Sequence, residues 1–278
     1  MSGPRPQDEA AQAPAAAPLR LGVTALGGVK LVQPGDDLAA IVIDALATSG
    51  ERLADGDVLV LAQKIVSKAE GRYVVLDSVT PSPRAEALAA ETDKDPRLVE
   101  LILSEATEVV RHRKGVLVVA HRIGVVLANA GIDASNVDPL PPATPGQPPR
   151  PRVLMLPKDP DASCRALAAA LHERTGARVG IVVNDSLGRA WRNGTVGAAL
   201  GAAGLPALLN LNGRPDLFGR PLQATQIGLA DEIAATASLM MGQAGEGRPI
   251  VLVRGLPYAL GEGAATDLVR PKDQDLFR

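Results

Sequence analysis

A mixed α and β fold is predicted by three features of the 278-residue sequence. Short apolar runs rich in valine recur at 58–62, 116–120, 123–128, 179–183 and 250–253. Each is too short for a helix and reads as a buried strand. Helix-spaced apolar residues lie between these runs. The runs at 116–120 and 123–128 are separated only by His121 and Arg122, too few residues for a helical crossover, so that pair is expected to be antiparallel. The expected class is therefore mixed α/β (α+β), with mixed sheets that contain antiparallel pairs and are flanked by helices, and not a purely parallel doubly wound sheet.

Taken in order, the chain begins with "MSGPRPQDEAAQAPAAAPLR", which lacks a charged segment followed by an apolar one and reads as a disordered tail over residues 1–19. Leu38, Ile41, Val42, Ala45 and Leu46 have helical spacing. Asp95 and Pro96 open a second helix through Leu98, Leu101 and Ile102, a cap followed by the proline that suits a first helical turn. The segment 139–152, "PLPPATPGQPPRPR", is a loop that either divides two lobes or is an insertion within one, because its prolines withhold backbone donors. Residues 163–174 form a helix whose Cys164 reads as a small core residue. Leu229, Ile233, Ala237 and Met240 mark a last helix.

Composition narrows the function. Hydrophobic residues make up 46% and charged residues 22%, with a formal charge of −2, so no basic footprint for nucleic acid is present. No run approaches the 18 or so apolar residues of a membrane span. One cysteine cannot form an internal disulfide, and a reducing, cytoplasmic setting is expected.

The familiar phosphate motifs are missing: no G-x-x-x-x-G-K-[ST] occurs, and "GEGAAT" at 261–266 lacks both the third glycine and the preceding strand. Two other stretches suit an anion. In "LAQKIVSKAEGR" (61–72) a strand runs into Gln63 and Lys64, with Lys68 four residues on, so a helix there would place both ammoniums on one face. An ordinary solvated face would look the same. "MGQAGEGR" (241–248) follows a helix and offers glycine-permitted backbone N–H groups, although a plain helix stop at Gly242 explains it equally. For metals, His112, His121 and His172 are scattered, which leaves hard oxygen ligands. Asp185, with Ser186 beside it, stands at the end of an apolar run, and Asp133 follows another in "ANAGIDASNV". Two such carboxylates suit Mg²⁺ or Mn²⁺ shared with phosphate oxygens, though each alone would serve as a turn residue.

These residues also carry a family resemblance. "QKIVSKAEGR", "GIDASNV", "NDSLGRAWRNGTVGAALGAAG", "ADEIAATASLMMGQAGEG" and "DLVRPKDQDLFR" stand in the order and spacing of the coenzyme F(420)-0:L-glutamate ligase family, which the chain resembles from about residue 20 onward. The resemblance implies a GTP-dependent enzyme that joins L-glutamate to a deazaflavin precursor and then adds γ-linked glutamates. It also implies a family-specific fold in one ligase domain over residues 20–278, assembled as an intertwined homodimer. Nucleotide contacts implied by it are Val29, Lys30, Leu31 and Val32, a loose match to the family's first segment, together with Gln63, Lys64, Lys68 and Asn136. The loop Met241, Gly242, Gln243, Ala244, Gly245, Glu246, Gly247 and Arg248 completes that set. Asp133, Asp185, Ser186 and Gln243 are the implied ligands of two divalent ions, Mg²⁺ or Mn²⁺, and a monovalent cation such as K⁺ is a further implied cofactor.

Three departures from the family accompany it. Serine stands at 186 where threonine is common, which keeps the hydroxyl. The proline-rich segment lengthens the interval between the two aspartates. Some relatives continue into a nitroreductase-like domain, which is not expected here. Activation of a carboxylate by a nucleotide γ-phosphoryl group would give an acyl phosphate, with Asp133, Asp185 and Lys68 in the catalytic machinery. Arg189 and Arg192 would then face an anionic substrate, with a surface salt bridge as the alternative, and Trp191 would either pack in the core or stack on a ring. The small residues of "GTVGAALGAAG" would allow close helix packing. The rival readings are a ligase of the same family with another acceptor, and a nucleotide- or deazaflavin-binding protein without chemistry.

Overall fold

The computed structural model describes residues 18–275 apart from positions 143, 145 and 148, so the tail expected over 1–19 lies, up to residue 17, outside the described residues. Strand β1 (Gly22–Ala25) leads through an irregular stretch to helix α1 (Leu38–Thr48), which Asp37 caps by accepting from the Ala39 and Ala40 amides. The helix buries Ile41, Val42, Ala45 and Leu46, the stripe its spacing predicts. Strand β2 (Val58–Ala62) then passes directly into α2 (Gln63–Ala69). After β3 (Tyr73–Val75) come α3 (Pro83–Thr92) and α4 (Pro96–Glu105), each opening on a proline behind a capping side chain, Ser82 or Asp95. Strands β4 (Ala106–Arg113), β5 (Val116–His121) and β6 (Val126–Ala128) form an antiparallel meander under those helices. The β5–β6 pair is antiparallel as expected, but β6 starts three residues later than its apolar run. Gly124, at φ +95°, turns the chain, with its amide donating to the His121 carbonyl.

The proline-rich segment is an insertion, not a divider. Leu140 and Arg150 exchange backbone hydrogen bonds, and at its base Arg152 pairs with Asp138 at 2.8 Å, so the excursion closes on itself before β7 (Arg152–Leu154) pairs with β3. Helix α5 (Pro160–Thr175) follows, longer than expected at its start, with Cys164 fully buried and its thiol pKa pushed up by that burial. Then come β8 (Gly180–Arg189), β9 (Arg192–Ala203), the short pair β10 (Leu209–Asn210) and β11 (Gln226–Ile227), helix α6 (Leu229–Met241) and β12 (Ile250–Arg254). In α6 the core position falls to Met241, whereas Met240 is exposed.

One sheet organises the whole, in the order β1-β12-β2-β8-β9. Only β2 and β8 run parallel; every other neighbouring pair is antiparallel. The central strands are buried on both faces, which is why they read as unbroken apolar runs. Leu59, Leu61, Ile181 and Val183 meet α1 and α5, while Val58, Val60 and Val182 meet α6. Strand β8 does not end at residue 183, as its apolar run suggests. It continues to Arg189 as one arm of a hairpin with β9, so Asp185 lies within a strand.

The glycine- and alanine-rich run is β9 itself, and it does admit close helix packing. Its partners skip from Gly201 to Ala199 opposite Val183 and Asn184, a bulge at Leu200 that reverses the facing of the strand. A Cβ on Gly197 would stand 2.6 Å from the Ala234 carbonyl of α6, and one on Gly201 2.5 Å from the Pro160 carbonyl of α5. Among the described residues no helix is long and apolar enough to cross a membrane. Gly201→Ala should lower stability by about 1–3 kcal/mol through overpacking against a backbone that cannot retreat cheaply. A urea midpoint equal to that of the unsubstituted protein would show that α5 is not seated there.

Candidate functional site

Strand direction brings the site together. Since β2 and β8 are parallel, their C-terminal ends coincide, with Ala62 opposite Asn184. Antiparallel β12 starts at that same end, with Ile250 opposite Leu61, and β1 finishes there, with Ala25 opposite Val251. Four chain segments therefore converge: residues 26–33 after β1, helix α2 after β2, Asn184 to Ser186 of β8, and the glycine loop before β12. Between them is a cleft of about 660 Å³. Its lining includes Val29, Lys30, Leu31 and Val32, then Gln63, Lys64, Lys68 and Asn136, and all of 241–248, so every residue singled out for the nucleotide faces one space. Asp185, Ser186 and Gln243 line it as well.

The first turns of α2 present the two lysines on one face, as their spacing predicts. Lys64 Nζ lies 2.8 Å from Asp133 Oδ2, and Lys68 Nζ donates to the Asn136 carbonyl at 2.7 Å. Burial lowers the Lys68 pKa from the ordinary lysine range; Asp138 opposes this, and the charges of Lys64 and Arg152 add to it. Asn136, at φ +55°, donates through Nδ2 to the Ala244 carbonyl, tying the Asp133 loop to the glycine loop. In the glycine loop, Gly242 at φ +75° stops α6, and the Glu246 carboxylate folds back to accept from the Ala244 amide at 2.8 Å.

Asp133 is positioned by a backbone bridge to Leu154 of β7, five residues after β6 ends. Its carboxylate accepts from the Ser135 amide and hydroxyl, each at 2.7 Å. Burial pushes this carboxyl up, but Lys64 and Ser135 outweigh it and hold the pKa below the usual value. Asp185 is opposite. Burial pushes its pKa up, only partly offset by the Ser186 amide and the Lys64 charge, while Asp133 raises it further. It forms no ion pair among the described residues. Ser186 Oγ donates to Gln243 Oε1, whose amide nitrogen donates to Ser238 Oγ at 3.0 Å, and beside them the buried Asn184 Oδ1 has no hydrogen-bond partner.

Asp133 is not among the cleft's lining residues and is joined to it through Lys64, so the oxygen donors at this end are two carboxylates, a hydroxyl and an amide oxygen, and the half-buried Asp185 forms no ion pair among the described residues. That set suits a hard divalent cation, Mg²⁺ or Mn²⁺, that keeps few protein ligands and shares phosphate oxygens. Among the described residues no group of three or more His, Cys, Asp or Glu side chains is placed to hold a metal ion, so a cation here would rest on two carboxylates together with hydroxyl and amide oxygens.

Arg189 and Arg192 are not brought into the cleft. Both are exposed at the turn of the β8–β9 hairpin, where Arg189 Nη1 donates to the Gly194 carbonyl. Trp191 beside them is 88% exposed, which removes the core-packing alternative. The sequence reading also left out cleft residues. Asp138 lines the cleft with Arg152 bound to it, and Arg152 in turn lies 3.9 Å over the Tyr73 ring. The fourteen-residue spacing gives no sign of this. Ser135, which holds Asp133, is likewise outside the set drawn from sequence, although a serine two residues after an Asp in a turn is a readable signal.

The F420-0:Gamma-glutamyl ligase family model matches residues 28–255, which contain the whole cleft. The chain belongs to this family. A coenzyme F420:L-glutamate ligase of Methanothermobacter thermautotrophicus is 45% identical over 262 residues, covering 93% of this chain and 100% of that protein. Its counterpart in Methanopyrus kandleri is 45% identical over 251 residues, 89% of this chain and 93% of the relative. That of Archaeoglobus fulgidus is 41% identical over 260 residues, 94% and 97% respectively.

In this F420-0:gamma-glutamyl ligase family member, α2 is anchored from behind by a buried charge centre. Arg72 donates through Nε to the Leu156 carbonyl and through Nη2 to Glu105, the last residue of α4. Glu105 also accepts from Arg122 at 3.0 Å and lies 3.2 Å from His121 Nε2. Burial alone would push the Glu105 carboxyl up, yet His121, Arg122 and Arg72 bring it from 4.5 down to about 2. Because this carboxyl titrates lower in the folded chain, the unfolded chain takes up its proton first as pH falls. The contribution is complete above pH 4.5 and is lost on descent to about 2. Wild-type unfolding free energy should therefore fall through that window by on the order of 3 kcal/mol more than that of Glu105→Gln. Parallel pH profiles for the two proteins would rule the charge centre out as a stabilising contact.

Proposed function

We propose that this chain is a GTP-dependent ligase that adds L-glutamate to the deazaflavin precursor coenzyme F420-0 and then extends it with γ-linked glutamates. The observation that carries the reading is the convergence, in one cleft of a member of this ligase family, of two lysines, a glycine loop and a set of hard oxygen donors. Together they suit a bound polyphosphate.

In the proposed reaction a carboxylate oxygen of the precursor attacks the γ-phosphorus of GTP, the β–γ bridging bond breaks and GDP departs. The glutamate amine then attacks the carbonyl carbon of the acyl phosphate, inorganic phosphate leaves and the nitrogen loses a proton. Lys64 and Lys68 hold phosphate oxygens as point charges, and the glycine-loop amides add neutral donors. Asp133, Asp185, Ser186 and Gln243 would hold divalent ions, which would supply charge neutralisation at the transferred phosphoryl group.

Assembly and setting belong to the same proposal. Two hairpin tips carry exposed apolar residues, Trp191 on one and Leu217 at 95% and Phe218 at 85% exposure on the other, which supports an intertwined homodimer that covers them. The buried free Cys164 supports a reducing, cytoplasmic environment. A net charge of −2 supports small-molecule substrates over nucleic acid.

Incubation with precursor, L-glutamate, GTP and Mg²⁺ or Mn²⁺ should yield GDP and ligated product in equal amounts over time, by chromatography and mass spectrometry. Asp185→Asn should reduce that coupled turnover by at least about 10–100-fold, the range that changes beyond the ligands themselves already reach, with an unaltered thermal melt. Ligated product without GDP, or full turnover by Asp185→Asn at saturating metal, would overturn the mechanism. GDP release indifferent to precursor and glutamate would identify a plain GTPase.

A further inference from the structure

We infer that Lys64 is the counter-ion of the divalent site: its ammonium holds Asp133 and gives up that carboxylate when cation and nucleotide phosphate enter together. The inference rests on the reading of Asp133 and Asp185 as cation ligands.

Three of the roughly four lone-pair positions of the Asp133 carboxylate are taken: Oδ1 accepts the Ser135 amide, and Oδ2 accepts both the Ser135 hydroxyl and the Lys64 ammonium. A cation on the open side of Oδ1 comes close to the Lys64 ammonium on the same carboxylate and repels it. The Ser135 amide is fixed by the turn, two residues along the same backbone. Lys64 is not fixed: it is 26% exposed, sits on a flexible four-carbon stem and already lines the cleft where phosphates would lie. Its charge also acts on Asp185, so one ammonium balances two carboxylates that otherwise repel each other.

Coupling follows from that sharing. Phosphate draws Lys64 away and frees Asp133 for a cation, and a cation on Asp133 frees Lys64 for phosphate, so by linkage each raises the affinity of the other by the same factor. Lys68 offers the internal control. It carries the same charge in the same cleft, but its Nζ is bonded to the neutral Asn136 carbonyl and no carboxylate.

The test is Mn²⁺ binding to metal-free protein by electron paramagnetic resonance, with and without GDP, with thermal melts alongside. Lys64→Met should bind Mn²⁺ alone at least about fivefold more tightly than wild type, and Lys68→Met should change it much less. GDP should tighten Mn²⁺ binding to wild type by about 5–150-fold, and Lys64→Met should lose most of that gain. Equal or weaker Mn²⁺ binding by a folded Lys64→Met would overturn the inference. If binding were also abolished by Asp185→Asn, the metal reading would stand while the counter-ion role fell. Absence of Mn²⁺ binding in every form, with GDP present, would overturn both. Should Lys64→Met fail to fold, reductive methylation of wild type followed by mass spectrometry decides. Lys64 should react faster with Mn²⁺ present, and an unchanged rate would count against its release.

Discussion

The parallel pairing of β2 with β8 is the constraint from which the rest follows. It lies at the centre of the sheet, buried on both faces, so helices must cover both sides. It also sets two strand ends side by side and then lets them diverge. β2 stops at Ala62 and turns into α2, while β8 continues along β9 alone. From that point the β8 edge that β2 had covered is open. Side chains from both faces of the strand, Asp185 on one and Ser186 on the other, can then reach a single space at that edge. Covering the far side closely requires β9 to be nearly free of side chains where α5 and α6 cross it. Gly201 and Gly197 stand at those crossings.

Charge compensation in the cleft is mostly local. Lys64 answers Asp133, Lys68 is satisfied by a carbonyl, and the Glu246 carboxylate takes a loop amide. A folded chain gains from each such pairing because a half-buried charge without a partner is costly. Asp185 breaks the rule. Among the described residues its one hydrogen bond is from the adjacent Ser186 amide, and burial works against its ionised form. Burial of a carboxylate without an ion pair is costly, and functional sites are where such perturbed groups cluster.

What the sequence made legible follows from how local each signal is. The valine-rich runs of β2, β8 and β12 are buried on both sides and needed no context, and that of β5 is buried on the face that meets its helices. The lysine pair of α2 was legible because a helix fixes which residues share a face. β9 was not, since its Gly-, Ala- and Leu-rich part from Gly197 to Ala203 has neither a two-residue period nor β-branched residues. Its strand state comes from the ladder with β8 and the helices packed on it. β4 was missed for a different reason: bulges interrupt its alternation, and most of its residues face solvent. Arg189 and Arg192 were assigned to the site because they closely follow Asp185 in sequence. The hairpin carries them away from the cleft, a direction that no spacing rule encodes.

The two carboxylates belong to different parts of the fold, and their relation depends on α2. Asp185 is on the central sheet, whereas Asp133 hangs from the meander and its bridge to β7. Helix α2 and the turn after it touch every element that fixes this distance. Lys64 reaches Asp133, and Lys68 reaches Asn136. Glu70 accepts the Lys158 amide and the Ser163 hydroxyl of α5, and Arg72 grips Glu105 and the Leu156 carbonyl. A helix of seven residues has little stability of its own. Its geometry is therefore borrowed from these contacts, which makes α2 a strut between the halves of the site and gives its lysines two duties. They neutralise charge in the cleft, and through Lys64 and Lys68 they hold the Asp133 loop at the sheet end where the other carboxylate waits.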